Sequence, residues 1–285
     1  MLAALAAITF VASIVNGAIG YGFSSITVPL ALLFLSNRVL NPALVPVEVV
    51  LNAYVLWVNR AAVPAILCRV LPIVVGLAPG VVAGTLIVSH VDAGWLKLAT
   101  FSLLLPLILL QAAGFRRPIR AERTVGLALG GGVGMLYAVT TVSGPPLAVM
   151  LNNQGLAKAE FRAAMGVIRL AEGLMTAAAY AYAGLYTRES AMLIPAIIPS
   201  VVIGVPIGAW LIRQVDAEAF RRVCMSFDAW IVGIGLAVLV PALGIASAAT
   251  GSALLAGIVA VDLALLYRFF FLNVRPVPQP SGEIR

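Results

Sequence analysis

The sequence predicts an all-α polytopic membrane protein. Of its 285 residues, 62% are hydrophobic and only 10% are charged, whereas soluble domains carry about 25% charged residues. Apolar stretches of about 18 residues or more, long enough to cross a hydrocarbon layer of roughly 30 Å, recur along the whole chain. The composition excludes a soluble enzyme, a disordered chain and a nucleic-acid binder. Membrane lipid is therefore an expected partner, and nucleic acid is not.

The apolar stretches are continuous, as at 103–110 and 231–240. Strands of a membrane barrel would instead alternate apolar and polar side chains over about ten residues. Helices therefore fit the pattern and a barrel does not. Seven segments have ordinary spanning length: 43–59, 70–89, 95–113, 163–186, 191–212, 223–243 and 248–272.

Two further apolar segments, 2–36 and 124–152, are too long to cross the bilayer as straight helices. A helix of about 35 residues would measure about 50 Å. Each segment has a break in its middle. The first break is predicted at 16–25, and the second begins at the glycines 130–134 and continues to 146. Each segment either crosses once with a kink or returns to its own side as a helical hairpin.

The positive charges favour hairpins. If both long segments return, one side of the membrane holds three cations and the other fourteen, the bias that the positive-inside rule expects. The side with three holds Arg38, Lys97 and Arg188. The other side holds Arg60, Arg69, Arg116, Arg117, Arg120, Arg123, Lys158, Arg162, Arg213, Arg221, Arg222, Arg268, Arg275 and Arg285. This predicts an outside N-terminus and a cytoplasmic C-terminus. Arginine outnumbers lysine 16 to 2, which favours a bacterial inner membrane.

The two halves of the chain match at an offset of 124 residues. Residues 80–84 (GVVAG) match 204–208 (GVPIG), and Glu48 matches Glu172. Each unit then contains one hairpin and three spans, an odd number of crossings, so the second unit is inverted relative to the first. Glycines four residues apart let helix backbones approach closely, so Gly80, Gly84, Gly204 and Gly208 are predicted packing positions.

This repeat divides the chain into five predicted regions. They are a first repeat at 1–114, a basic cytoplasmic linker at 115–123, a second repeat at 124–244, an extra helix at 245–272 and a cytoplasmic tail at 273–285.

Several motifs resemble those of the TauE/SafE family of sulfite and organosulfonate exporters and related anion permeases. They are the glycine-containing break before Val28-Pro29-Leu30, Ser143-Gly144-Pro145-Pro146-Leu147, and Gln154-Gly155-Leu156 followed by Glu160-Phe161-Arg162-Ala163. The first break, Gly20-Tyr21-Gly22-Phe23-Ser24-Ser25, has fewer glycines than is typical of members. The resemblance implies transport of small sulfur-containing or carboxylic anions.

The two breaks are the first candidates for an anion site. A helix that restarts inside the membrane presents free backbone N–H groups and a positive dipole end. Inverted repeats place substrate near the midplane, where the units meet. The predicted substrate-binding residues are Asn16, Tyr21, Ser24, Ser25, Thr140, Thr141, Ser143 and Arg169. The alternative for the hydroxyls is that they bond back to their own helices.

Three charged residues inside the apolar segments, Glu48, Arg169 and Glu172, form the second candidate site. Arg169 can bind a sulfonate or carboxylate with two hydrogen bonds, and the alternative is an ion pair with Glu172 at i+3. Glu48 and Glu172 occupy equivalent repeat positions, and embedded carboxylates can carry protons. Both are predicted proton-coupling residues, with Glu48 preferred. Hydrogen bonding to backbone or to Asn52 is the alternative for Glu48.

The predicted function is a secondary transporter for small sulfur oxyanions such as sulfite or sulfoacetate, with proton coupling and alternating access. The alternatives are a passive anion channel and a permease for small carboxylates. A membrane-embedded enzyme is disfavoured, because the sequence offers no nucleophile–base pair and no phosphate loop. Cys68, Cys224 and His90 make no metal site, and no cofactor is expected. The residues leave the oligomeric state open.

Overall fold

The computed structural model describes residues 1–113, 122–152, 156–214 and 217–272. The predicted tail at 273–285 lies outside these residues, as does most of the predicted linker at 115–123. The described residues form eleven α-helices and one short 3-10 turn, and no strand occurs among them. The chain is therefore all-helical, as its composition predicts.

The helices follow the same order in two successive units. The first unit contains α1 (Leu2–Ile19), α2 (Phe23–Ala31), α3 (Asn37–Val58), α4 (Val63–His90) and α5 (Ala93–Ala112). The second contains α6 (Glu122–Thr140), α7 (Gly144–Asn152), α8 (Lys158–Tyr182), α9 (Arg188–Leu211) and α10 (Ala217–Ala242), and α11 (Ala248–Phe271) follows. Each unit begins with a broken pair whose second helix has 9 residues. The order agrees with a duplication; the inverted orientation of the units stays a prediction.

Within the described residues, seven helices are long and apolar enough to cross a membrane: α1, α3, α4, α5, α9, α10 and α11. Six of them correspond to predicted spans. The seventh, α1, belongs to the predicted broken segment 2–36. The predicted span at 163–186 is not among the seven. That span lies in α8, which has 25 residues but is more polar, since it includes Arg169 and Glu172. Large apolar side chains such as Trp57 and Trp210 lie exposed on the long helices, as lipid contact requires. The protein is a multi-pass helical membrane protein.

Both broken pairs change direction at residues with left-handed backbone. Gly20 ends α1 with φ 91°, and Gly22 precedes α2 with φ 106°. Thr141 follows α6 with φ 56° and is the one non-glycine with positive φ among the described residues. Glycine adopts this conformation without strain, whereas a threonine must be held in it by its surroundings. The second break is therefore strained and the first is not.

The predicted start of the second break, at glycines 130–134, is wrong. These glycines lie inside α6, and the break begins at Thr141. A Cβ on Gly130 would lie 2.1 Å from the Ile73 carbonyl oxygen, and one on Gly134 would lie 2.6 Å from that of Leu77. The glycine run thus serves the contact of α6 with α4 rather than a turn.

The predicted packing role of the paired glycines is confirmed. A Cβ on any of them would lie between 1.8 and 2.7 Å from a neighbouring atom. They are Gly80, Gly84, Gly204 and Gly208. In effect, α4 packs on α6 and α9 packs on α1 at backbone distance, the close approach that small residues allow in membranes.

These two helix pairs run parallel. Along α4 and α6, Gly76 meets Leu127 and, two turns later, Gly84 meets Met135. The contacts of α9 with α1 advance in the same direction, from Gly204 against Ser13 to Gly208 against Ala18. The first helix of each unit therefore packs along the fourth helix of the other unit.

A polar cluster inside the membrane attaches α11 to α10. Oδ1 of Asp262 accepts hydrogen bonds from Arg222 at 3.1 Å and Ser226 at 3.1 Å, and Oδ2 accepts one from the Trp230 indole at 3.0 Å. Asp262 is fully buried and Arg222 is 3% exposed. Arg222 is thus a structural ion-pair partner rather than a free charge at the end of a span.

Candidate functional site

The centre of the molecule is the crossing of α3 and α8, which occupy equivalent places in the two units. A Cβ on Gly173 would lie 2.9 Å from Val49, and one on Gly166 would lie 3.2 Å from Leu56. The contacts advance in opposite directions, so the two helices are antiparallel. Val49 and Gly173 are also equivalent at the 124-residue offset, and the predicted proton-coupling residues lie next to them in sequence.

Glu48 on α3 gathers side chains from three other helices. Oε1 accepts a hydrogen bond from Ser24 at 2.5 Å and an ion-paired one from Arg169 at 3.3 Å. Oε2 accepts a hydrogen bond from Tyr137 at 2.8 Å. The carboxylate is fully buried, so these donors replace water. The predicted alternative, bonding to Asn52 or backbone, is not among the contacts of Glu48 in the described residues.

Arg169 pairs across the two units rather than within α8. Its ion pair is with Glu48 and not with Glu172 at i+3. The side chain is 4% exposed, and its Nε has no hydrogen-bond partner among the described residues. Leaving a buried donor unpaired is unfavourable by about 1–3 kcal/mol. The guanidinium thus keeps one unused donor inside the protein.

Glu172 on α8 contacts the second break. Its Oε2 accepts a hydrogen bond from Ser143 at 2.6 Å, whereas Oε1 has no partner among the described residues. Glu172 also interacts electrostatically with Arg169 and with Glu48. Each break thus contributes one serine to one carboxylate, Ser24 to Glu48 and Ser143 to Glu172. The cluster contains two carboxylates, of Glu48 and Glu172, and one guanidinium, of Arg169. Its net charge is therefore −1 when both carboxylates are ionised.

The two breaks lie against each other. Tyr21, in the first break, packs on Gly144 at the start of α7, where an added Cβ would lie 3.3 Å from its ring. Tyr21, Gly22 and Pro145 also line one small cavity with Ser25. The N-terminal ends of α2 and α7 therefore lie beside the charged cluster, through Ser24 and Ser143, and the positive end of a helix dipole is found at such an end.

The remaining predicted residues are buried but contact other groups. Ser25 donates to the Gly22 carbonyl at 3.0 Å and lines the same small cavity as Asp228 on α10. Thr140 and Thr141 donate to backbone carbonyls of their own segment, at 2.7 Å each. Asn16 is 5% exposed, and its backbone carbonyl accepts a hydrogen bond from the N–H of Gly20, the residue that ends α1. These residues shape the breaks, and the charged cluster does not include them.

The sequence pattern does not link Tyr137 to Glu48, and it does not identify the residues that hold the end of α6. The Val139 carbonyl accepts hydrogen bonds from Asn37 at 3.4 Å and Asn41 at 2.7 Å, and Tyr180 donates to the Ala138 carbonyl. These donors satisfy carbonyls that a helix end leaves free. Two asparagines at i and i+4 in the first two turns of α3 were the available signal.

Among the described residues, no group of three or more His, Cys, Asp or Glu side chains could hold a metal ion. Cys68 and Cys224 are free thiols. The groups in the centre are one guanidinium, serine and tyrosine hydroxyls, and two buried carboxylates.

The family model described as "Sulfite exporter TauE/SafE" matches residues 5–236. The match extends from α1 into α10 and includes both breaks and the charged cluster. No curated protein and no solved structure matches the chain.

Proposed function

Because the chain belongs to the sulfite exporter TauE/SafE family, we propose that it is a secondary transporter of small sulfur oxyanions, coupled to protons. The substrate is sulfite or an organosulfonate, and the membrane is the bacterial inner membrane. Membership of this family establishes a membrane permease. The substrate class and the proton coupling are what the proposal adds.

The Arg169–Glu48 ion pair supports this function best. A guanidinium binds a tetrahedral or trigonal oxyanion through parallel N–H groups. In the structure, one terminal N–H group of Arg169 is paired with Oε1 of Glu48 at 3.3 Å, while Nε has no partner among the described residues. An incoming oxyanion would compete with Glu48 for the same donors.

Proton coupling follows from this competition. The cluster already has one more carboxylate than cations, and a bound oxyanion would add further negative charge in a buried place. A proton on Glu48 removes the competition and offsets that charge. Anion and proton then enter together, and both leave when the site opens to the other side. Glu172, with its unpaired Oε1, is the second carboxylate through which a proton can pass.

The two broken helix pairs supply the elements for alternating access. We propose that both are re-entrant hairpins whose tips meet at the charged cluster. The length of the second helix in each pair supports this: it has only 9 residues, which is too short to cross the hydrocarbon layer by itself. The two breaks also lie against each other, since Tyr21 packs on Gly144.

We also propose the orientation with the N-terminus outside and the C-terminus cytoplasmic. Omitting the buried Arg222 from the count leaves three cations against thirteen (14 − 1). The asymmetry that the positive-inside rule uses is therefore preserved.

Substitution of Arg169 tests this function. Purified wild type and Arg169→Ala are reconstituted in proteoliposomes, and uptake of sulfite and of a simple alkanesulfonate is measured with and without an imposed proton gradient. The wild type should concentrate substrate when the gradient is present, and Arg169→Ala should lose at least about 100-fold in rate. Arg60→Ala, at an exposed arginine, is the matched control and should transport normally.

Three results would each contradict part of the proposal. Normal transport by a folded Arg169→Ala would remove the arginine from substrate binding. Equilibration of substrate without concentration, whatever the proton gradient, would indicate a passive channel. Uptake of small carboxylates in preference to sulfonates would change the substrate class.

A further inference from the structure

We propose that Asn52 and Thr176 are two further binding positions for the transported oxyanion, one on each side of the Arg169 site. This inference rests on the proposed transport function and specifies the path of its substrate.

Both side chains are buried and incompletely hydrogen-bonded. Asn52 is 5% exposed and Thr176 is fully buried. The Nδ2 of Asn52 and the Oγ1 of Thr176 have no hydrogen-bond partner among the described residues. Buried polar atoms are nearly always paired, and an exception calls for an explanation. A transient ligand provides one.

Their positions repeat across the two units. Asn52 lies four residues after Glu48 on α3, and Thr176 lies four residues after Glu172 on α8. Residues at i and i+4 share one face of a helix, so each lies on the same face as its carboxylate. The offset between Asn52 and Thr176 is again 124 residues. Both units thus place a polar atom without a partner in the described residues four positions after the carboxylate.

The two positions lie on opposite sides of the helix crossing. α3 and α8 are antiparallel and meet at Val49 and Gly173. Asn52 follows Val49 by three residues, toward the end of α3 that leads to Arg60. Thr176 follows Gly173 by three residues, toward the end of α8 that leads to Arg188. At 1.5 Å per residue, the two are about 9 Å apart along the helix axes.

Their chemistry fits an anion. An asparagine Nδ2 can only donate hydrogen bonds, and a threonine hydroxyl can donate one. The group that satisfies Nδ2 must therefore be an acceptor, such as a sulfite or sulfonate oxygen. Neither residue is charged, so each would hold the anion more weakly than Arg169 does. Weak positions on both sides of a strong one let an anion enter and leave in steps.

Isosteric substitutions and sided transport assays test the proposal. Thr176→Val and Asn52→Leu are measured in right-side-out and inside-out membrane vesicles with sulfite or an alkanesulfonate and no imposed gradient. Thiol labelling of single cysteines placed at 60 and 188 identifies the side to which each end belongs. Thr176→Val should raise the KM about tenfold from the side of residue 188, and Asn52→Leu from the side of residue 60.

From the opposite side each variant should keep its KM within about twofold. The maximal rate from that opposite side should fall instead. Without a gradient, the ratio of maximal rate to KM must be the same for transport from either side, so a mutation changes it equally for both. Thr85→Val is the matched control, since Thr85 on α4 is also buried with an unpaired hydroxyl. It should leave both KM values unchanged.

Equal KM changes from both sides would mean that the residues act on the structure as a whole, and unchanged KM values would mean that no substrate contacts them. Either result overturns the inference. Arg169→Ala in the same vesicles separates the two proposals. An inactive Arg169→Ala beside unaffected Thr176→Val and Asn52→Leu contradicts this inference alone. A fully active Arg169→Ala contradicts the proposed function.

Discussion

Replacing Glu48 by glutamine should separate anion binding from proton coupling. The substitution retains one carbonyl oxygen that can accept from Ser24 or Tyr137, but it removes the negative charge that faces Arg169. In the wild type, the oxyanion must displace a carboxylate held 3.3 Å from the guanidinium. In Glu48→Gln this competitor is neutral at every pH.

The size of the effect follows from the ion pair. Two unit charges at 3.3 Å attract by about 5 kcal/mol at an effective dielectric constant of about 20. The bound anion regains most of this attraction from the same guanidinium, so only a part appears as affinity. If about 1.4–3 kcal/mol remains, the variant should bind the anion about 10- to 100-fold more tightly at neutral pH.

The assay is titration of purified protein with an alkanesulfonate, which stays ionised throughout, between pH 5.5 and 8.5. Wild-type affinity should weaken as the pH rises, because the proposed coupling requires a proton to be taken up with each anion. Glu48→Gln should bind tightly with little dependence on pH, and it should exchange substrate without responding to a proton gradient. Glu189→Gln, an exposed glutamate at the start of α9, is the control and should resemble the wild type.

Persistent proton-driven accumulation by Glu48→Gln would refute this reasoning. An unchanged pH dependence of binding would do the same, and would transfer the coupling role to Glu172 or to a group outside the cluster.

Two predictions concern stability and are checked by thermal unfolding in detergent. Gly80→Ala should destabilise the protein by about 1–3 kcal/mol, because its Cβ would lie 2.0 Å from the Gly131 carbonyl oxygen; Gly132→Ala, where nothing lies within 4 Å, should not destabilise it. Asp262→Ala should lower stability by about 3–5 kcal/mol, because it leaves Arg222 buried without its carboxylate, and proteolysis should then release α11 first. Equal stability of the two glycine variants, or an unaltered attachment of α11, would contradict these expectations.

The sequence was sufficient for the all-helical membrane class, because the bilayer constrains span lengths strongly. The lengths of the spans, the glycine pairs and the break at Gly20–Gly22 all follow from local pattern. The helix α8 was predicted as a span at 163–186 although Arg169 and Glu172 lower its apolar character.

Pairings between distant helices were not predictable. Arg169 was expected to contact substrate or Glu172, its neighbour at i+3, yet its partner is Glu48, 121 residues away. Nothing local to either residue encodes that choice, which depends on how α3 crosses α8. The glycines 130–134 were likewise ambiguous, since a glycine run suits a turn and a close helix contact equally well. Only the position of α4 decides between them.

The most direct test of the central claim is a count of the protons taken up when an oxyanion binds. An alkanesulfonate is added to purified protein in weakly buffered detergent solution near neutral pH, and the pH change is recorded. Proton-coupled binding at Arg169 and Glu48 predicts proton uptake approaching one per anion bound in the wild type and none in Glu48→Gln. Tight binding without proton uptake, or equal uptake by both proteins, would contradict it.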